Sequence, residues 1–238
     1  MKEGIERLET DKEFNKVEEN LTKSSELPSD PEVEPVKIFP WEVAWIKKPN
    51  PDNPEDINAY KKIEAQPAIK EWMDNADELS TTEEVQDMFA EIFYGVCGEK
   101  DKGGMEGFVW LYKPEKETLN NLKKRNSVDP SEFKDVLETS FARLVDENIP
   151  KENQIRGLIP SAIRQICFSL LEKNKKMLIT AFTDPKNLLS EGVLKNAGFV
   201  IKGKTFYDKE AEEASKEDNF WVLDKNELER ILKKKKAN

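Results

Sequence analysis

The sequence predicts an α/β fold, and three observations carry that expectation. Between Arg156 and Phe199 the chain reads as loop, helix, buried strand and second short helix, with a further strand starting at Phe199. Upstream, Phe93–Cys97 and Met105–Tyr112 are apolar runs of strand length joined by the charged, glycine-rich GEKDKGG, a hairpin connection. The 238 residues supply ample core material for one large domain or two small ones, and no internal repeat divides them.

Taken in order, residues 1–35 form an acidic arm, flexible or weakly helical, in which SSELPSDPEVEP has linker composition. Order is expected from Val36, where VKIFPWEVAWI alternates as a strand around Pro40. KKPNPDNPED makes a loop, and Pro54 with Glu55 and Asp56 starts a helix. Ile57, Tyr60, Ile63, Pro67, Ile69, Trp72 and Met73 fit one or two short helices broken near Pro67. The run Ser80–Glu84 is a capping signal ahead of Val85, Met88, Phe89 and Ile92 at helical spacing. After the hairpin, residues 113–134 are polar and read as an insertion carrying a surface helix in TLNNLKKRN. Val136–Val145 alternates as a strand, and DENIPKENQI is a loop leading to Arg156.

Pro160 suits the first turn of the next helix, where its missing N–H is harmless. Ala162, Ile163, Ile166, Cys167, Leu170 and Leu171 give that helix a broad apolar face. Met177–Phe182 is the buried strand, and Asn187 or Ser190 caps a helix that Gly198 closes. FVIKGKTFY and Phe220–Leu223 are strands around a solvated acidic excursion, and a short helix from Glu227 ends the chain in KKKKAN.

Composition narrows the function classes. A formal net charge of −10 disfavours nucleic acid and anionic membrane surfaces and suits a cationic substrate or partner. No apolar run reaches membrane-span length, the N-terminal residues do not form a signal peptide, and Cys97 and Cys167 read as reduced core thiols of a cytoplasmic protein. Histidine is absent, so Ser/His, Cys/His and His-zinc chemistry is excluded; no metal site is expected, and a base must be a carboxylate.

Four stretches then resemble the GNAT superfamily of acyl-CoA-dependent N-acyltransferases, nearest the branch of ribosomal-protein N-terminal and small-amine acetyltransferases. They are PAIKEWMDNADELSTTEEVQDMF, MEGFVWLY, VLETSFARLV and, most specifically, the Asn187-to-Phe199 stretch NLLSEGVLKNAGF. The resemblance covers about residues 41–232 and implies one domain over residues 36–238. It implies a mixed, mostly antiparallel central sheet flanked by helices, with a splayed strand pair at the cofactor site. Acetyl-CoA or coenzyme A is the implied cofactor, and a primary amine, on a small molecule or a protein N-terminus, is the implied acceptor. A homodimer is compatible with this reading.

The implied phosphate loop is Arg156, Gly157, Leu158, Ile159, Pro160 and Ser161, with Ala162 behind it. It departs from the family pattern where Ile159 replaces a glycine and Pro160 removes an N–H. Backbone groups of Leu144 and Val145 would pair with the pantetheine arm, and Asn187 would contact it. Glu138 would be the base, its carboxyl raised in pKa by partial burial. Leu194 stands where the family carries a tyrosine acid, so Ser190 is the expected acid, with Tyr207 and Tyr112 in reserve.

Plainer readings stand beside these. Asn187 and Ser190 also fit helix capping, Glu138 an outward strand position, and Arg156 a surface arginine. Trp41, Trp45, Trp72, Trp110 and Trp221 read as core or rim aromatics, and Lys233–Lys236 as a solvated tail. The alternatives to an N-acetyltransferase are a catalytically degenerate GNAT-fold binding or regulatory protein and an unrelated acidic α/β interaction protein.

Overall fold

The structure is a computed structural model that describes residues 44–71, 79–97, 105–124, 128–144, 156–207 and 209–236. The expected arm, Trp41, Trp72, the hairpin connection, Val145 and the loop before Arg156 lie outside the described residues.

Seven strands form one sheet in the order β1-β2-β3-β4-β5-β7-β6. They are β1 (Trp45–Lys47), β2 (Ile92–Cys97), β3 (Gly107–Tyr112), β4 (Asp135–Arg143), β5 (Met177–Thr183), β6 (Val200–Thr205) and β7 (Asp218–Asp224). Every neighbouring pair is antiparallel except β4 and β5. The helices are α1 (Pro54–Glu64), α2 (Pro67–Lys70), α3 (Thr82–Ala90), α4 (Lys116–Lys124), α5 (Leu158–Lys173), α6 (Leu188–Ala197), α7 (Lys209–Glu213) and α8 (Lys225–Lys236).

Local chemistry accounts for the helix ends. The Asn53 side chain accepts from Glu55 N ahead of Pro54, and Glu55 and Asp56 meet the positive end of the α1 dipole. Thr81 and Glu84 make a reciprocal capping box on α3. Gly198 closes α6 at φ 106°, where its N–H reaches the Leu194 and Lys195 carbonyls. A Cβ at that glycine would stand 2.4 Å from Ile231 Cδ1, so the site also brings α8 close.

Alternation along the strands builds two apolar faces. On one, Leu111, Leu137, Ile179 and Leu223 pack against Leu158, Ile163 and Ile166 of α5, with Leu194 of α6 and Leu228 of α8. On the other there are two clusters. Phe93, Phe108 and Ala142 lie under α1 and α3, where the Tyr60, Phe89, Phe93 and Phe108 rings meet with centroids 4.8 to 6.2 Å apart. Val136, Leu178, Phe220 and Val222 lie under Leu119 and Leu122 of α4.

That last contact corrects the picture of residues 113–134 as a surface excursion. Leu122 is fully buried, a burial that contributes about 1.5–3 kcal/mol, so α4 is part of the core. The acidic stretch after β6 also differs from expectation, since it carries the short helix α7.

Candidate active site

The parallel pair β4 and β5 is hydrogen-bonded over four positions, from Asp135 opposite Met177 to Glu138 opposite Thr180. Beyond that point β4 continues against β3 as far as Arg143, and β5 continues against β7 as far as Thr183. The two strands therefore part at Glu138, giving the splayed pair that the resemblance implies.

Strand parity decides which backbone groups face the opening. Leu144 N–H donates to Glu106 O at 2.7 Å, towards β3, and the antiparallel ladder repeats every second residue. The Thr139 carbonyl and the main-chain groups of Phe141 and Arg143 thus turn to the side that β5 has left, while the Thr139 N–H closes the ladder opposite Thr180. The Leu137 carbonyl agrees with that parity, because it accepts from Thr180 Oγ1 across the paired part of the same edge. Leu144, expected to line the cofactor, instead has its N–H committed to the sheet. Arg143 O accepts from Gln66 Nε2 at 3.3 Å, which brings the end of α1 to this edge.

Helix α5 begins beside that edge. Gly157 precedes it in the left-handed region at φ 77°, exposed, with Arg156 exposed before it. Ser161 N–H is donated to Gly157 O at 3.0 Å, and its hydroxyl meets Arg164 Nη2 at 3.3 Å. Ser161 and Ala162 are buried and lie one turn into the helix, so the unbonded amides at its start are those of Leu158 and Ile159. Pro160 is in the first turn, as its chemistry requires.

The bulk of Ile159 has a counterpart across the interface. A Cβ on Gly107 of β3 would lie 2.6 Å from Ile159 Cδ1 and 2.6 Å from Ala142 O. The glycine in MEGFVWLY therefore opens the space that the isoleucine fills, seating the start of α5 against β3 and β4.

Glu138 projects from β4 on the opposite face, between the two clusters there, and is only 4% exposed. Its Oε1 accepts from the Tyr112 hydroxyl at 2.6 Å, as the register opposite Tyr112 dictates. The Tyr207 hydroxyl lies beside both groups. Glu138 Oε2 is buried and accepts no hydrogen bond from the described residues, and Thr139 Oγ1, on the other face, is likewise unpartnered. Burial pushes the Glu138 carboxyl up to about 7; the Tyr112 and Tyr207 hydroxyls oppose that rise and the charge of Glu115 adds to it. Burial first, then the adjoining carboxylate, raises both tyrosines above the ordinary phenol range, so both are protonated at neutral pH.

Asn187 and Ser190 meet each other at the start of α6. Asn187 Oδ1 accepts from Ser190 N at 3.1 Å, which is the helix-capping arrangement. Leu188 and Leu189 beside them are exposed, and Leu194 is a core residue beneath α6. The expected base thus lies with the two reserve hydroxyls, while Ser190 makes its described bond within α6. The sequence carries one sign of this arrangement: Thr118 and Asn121 share the buried stripe of α4 with Leu122, an unusual place for polar side chains.

No family model matches this sequence, and no curated protein matches it. The fold does have solved counterparts. A GNAT-family acetyltransferase from Bacillus anthracis superposes with a TM-score of 0.52 at 13% identity, covering 76% of this chain and 95% of that one. AAC(6')-Ib in complex with ribostamycin and coenzyme A gives 0.53 at 16% identity, covering 79% and 96%. The ribosomal-protein-S5-alanine acetyltransferase from Vibrio fischeri gives 0.51 at 14% identity, covering 78% and 94%. The chain has the fold of these GNAT acetyltransferases, in place of the unrelated α/β architecture that one sequence reading allowed.

Proposed function

We propose that this protein is an acetyl-CoA-dependent N-acetyltransferase that transfers an acetyl group to a primary amine by direct attack on the thioester. The observation that carries the reading is the parting of β4 from β5 at Glu138, beside the open start of α5.

The residues present fit a nucleotide-linked thiol. The Thr139 carbonyl and the N–H and carbonyl of Phe141 offer main-chain groups along one edge of the opening, where a pantetheine arm would continue the ladder that β5 leaves. Leu158 and Ile159 amides, with the helix dipole behind them and Arg156 alongside, would meet the pyrophosphate. Gly157 gives the turn its left-handed corner, and Ser161 and Ala162 support it from within the helix. Asn187 would add a side-chain contact from the start of α6. Acetyl-CoA, when bound, supplies the acyl group as an activated thioester.

Glu138 is the proposed base. With a pKa near 7 it is poised to take a proton from an ammonium, leaving the neutral amine that nucleophilic attack requires. Tyr112 holds Oε1 and leaves Oε2 without a partner among the described residues, the oxygen proposed to take the proton. Tyr112 and Tyr207 are the proposed proton donors in preference to Ser190, because they share the Glu138 carboxyl. The acceptor is a small-molecule amine or a protein N-terminus, and a cationic one suits the net charge of −10.

Two features favour the alternative of a cofactor-binding protein without turnover: Pro160 lacks an N–H, and the Ser161 N–H is already used. A screen of amines and peptides with acetyl-CoA, read by thiol release, separates the two. Release with any amine, lost in Glu138→Gln, supports the enzyme; coenzyme A binding without release for any amine supports the alternative.

A further inference from the structure

Tyr207 lies in the turn after β6, a place where a side chain has no strand ladder to hold it. Two buried polar side chains from α4 secure its backbone. Thr118 Oγ1 donates to Tyr207 O at 3.3 Å, and Asn121 Nδ2 donates to Phe206 O at 3.2 Å. Both donors are at least nine-tenths buried, Thr118 at 2% and Asn121 at 5% exposure. The Tyr207 ring meets Phe182 of β5 in a T-shaped contact, 5.3 Å between centroids, and Phe182 itself leans on Phe220. Leu119 and Leu122 anchor α4 to the same patch through Val136, Leu178, Phe220 and Val222.

Such placement needs an explanation. A polar side chain on the buried stripe of a short helix costs stability unless its hydrogen bonds are made, and an apolar residue would pack there more simply. Both side chains direct their donors to consecutive carbonyls of one turn, and that turn carries the hydroxyl beside Glu138.

We infer that α4 is a positioning device for the acid–base pair, in which Thr118 and Asn121 hold the Tyr207 hydroxyl against the Glu138 carboxyl. Its catalytic meaning rests on the acetyl-transfer reading, but the coupling itself can be read without any ligand. The groups facing Glu138 are Tyr112 from β3, Tyr207 from the turn after β6 and Glu115 from the approach to α4. Of these, Tyr207 is the one that α4 bonds directly. Its hydroxyl lowers the Glu138 pKa, so releasing it should raise that pKa.

The test is a carboxyl-carbon NMR titration of Glu138 in the full chain, in wild type, Tyr207→Phe, Thr118→Val, Thr118→Ser and Asn121→Leu. Tyr207→Phe keeps the apolar cover, removes the hydroxyl and sets the reference shift. Thr118→Val and Asn121→Leu are expected to move the Glu138 midpoint upward by roughly half a pH unit or more. Thr118→Ser, which retains the donor, should leave it at the wild-type value. Thr118→Val keeps side-chain volume and decides the matter if Asn121→Leu does not fold. A Glu138 midpoint unchanged or lowered in folded Thr118→Val would overturn the inference, as would an unchanged midpoint in Tyr207→Phe. A positive titration with no acetyl transfer to any amine would count against the proposed function alone.

Discussion

Replacing Glu138 by Gln should make the protein slower and more stable at once, and the stability gain should depend on pH. The folded carboxyl has a pKa of about 7 against 4.5 for the same group in solvent. Between those values the folded chain keeps a proton that the unfolded chain has released. Stability therefore declines as pH rises from about 4.5 to about 7, because the native carboxyl must ionise in a buried place. The gap is worth about 3 kcal/mol. Glutamine, neutral at every pH and still able to accept from Tyr112, escapes that loss. Glu138→Gln should exceed the wild type by less than about 1 kcal/mol near pH 5 and by about 3 kcal/mol at pH 8. For a chain of this size the latter is a rise in Tm of roughly 6–12 °C. Calorimetry at the two pH values measures it directly. Equal differences at pH 5 and pH 8 would refute the buried, proton-retaining carboxyl. In the thiol-release assay the same variant should lose roughly 10²- to 10³-fold in kcat while still binding coenzyme A. Undiminished turnover would remove Glu138 as the base.

Other outcomes follow from single contacts. Gly107→Ala should destabilise by about 1–3 kcal/mol, since its Cβ meets the Ala142 carbonyl and Ile159 Cδ1; adding Ile159→Val removes only that methyl, leaves the carbonyl contact and should restore Tm in part. Asn187→Ala should lose about 1 kcal/mol with the α6 cap, whereas Asn187→Asp keeps the cap. Loss of the coenzyme A-induced rise in Tm in the Asn187→Asp variant would place Asn187 against the cofactor; an undiminished rise would confine it to capping. Wild-type kcat/KM should climb with pH to a plateau above about pH 7, as Glu138 ionises, and a profile flat from pH 5 to 8 would contradict that assignment. Leu122→Ala should cost about 2–5 kcal/mol, and a change under about 1 kcal/mol would return α4 to the surface.

Much of the fold was legible because its signals are local. The Thr81–Glu84 capping box, Pro54 at a helix start, Gly198 at a helix end and the apolar Met177–Phe182 run each report the conformation of their own few residues. The site was only partly legible because it depends on register and on distant pairing. Glu138 could be named from its strand, but its partner Tyr112 follows from the β3–β4 alignment, and the whole of α4 separates those strands in the chain. The turn that carries Tyr207 is bonded to α4, which composition presents as a polar insertion. Of the pair Leu144 and Val145, the Leu144 N–H turns to β3, a direction set by the period-two ladder, and Val145 lies outside the described residues. Ser161 looked like a loop donor, yet one turn of helix consumes its N–H. Ile159 looked like a defect in that loop until Gly107, far upstream on β3, proved to be shaped around it.

The central claim is that the parting of β4 and β5 beside the start of α5 receives a nucleotide-linked thiol. Amide hydrogen exchange of the full chain, with and without millimolar coenzyme A, tests it most directly. The account predicts slowed exchange at Phe141 on β4 and at Leu158 and Ile159 on α5, with little change across β2. Unaltered exchange at all three residues, or protection gathered elsewhere in the sheet, would contradict it.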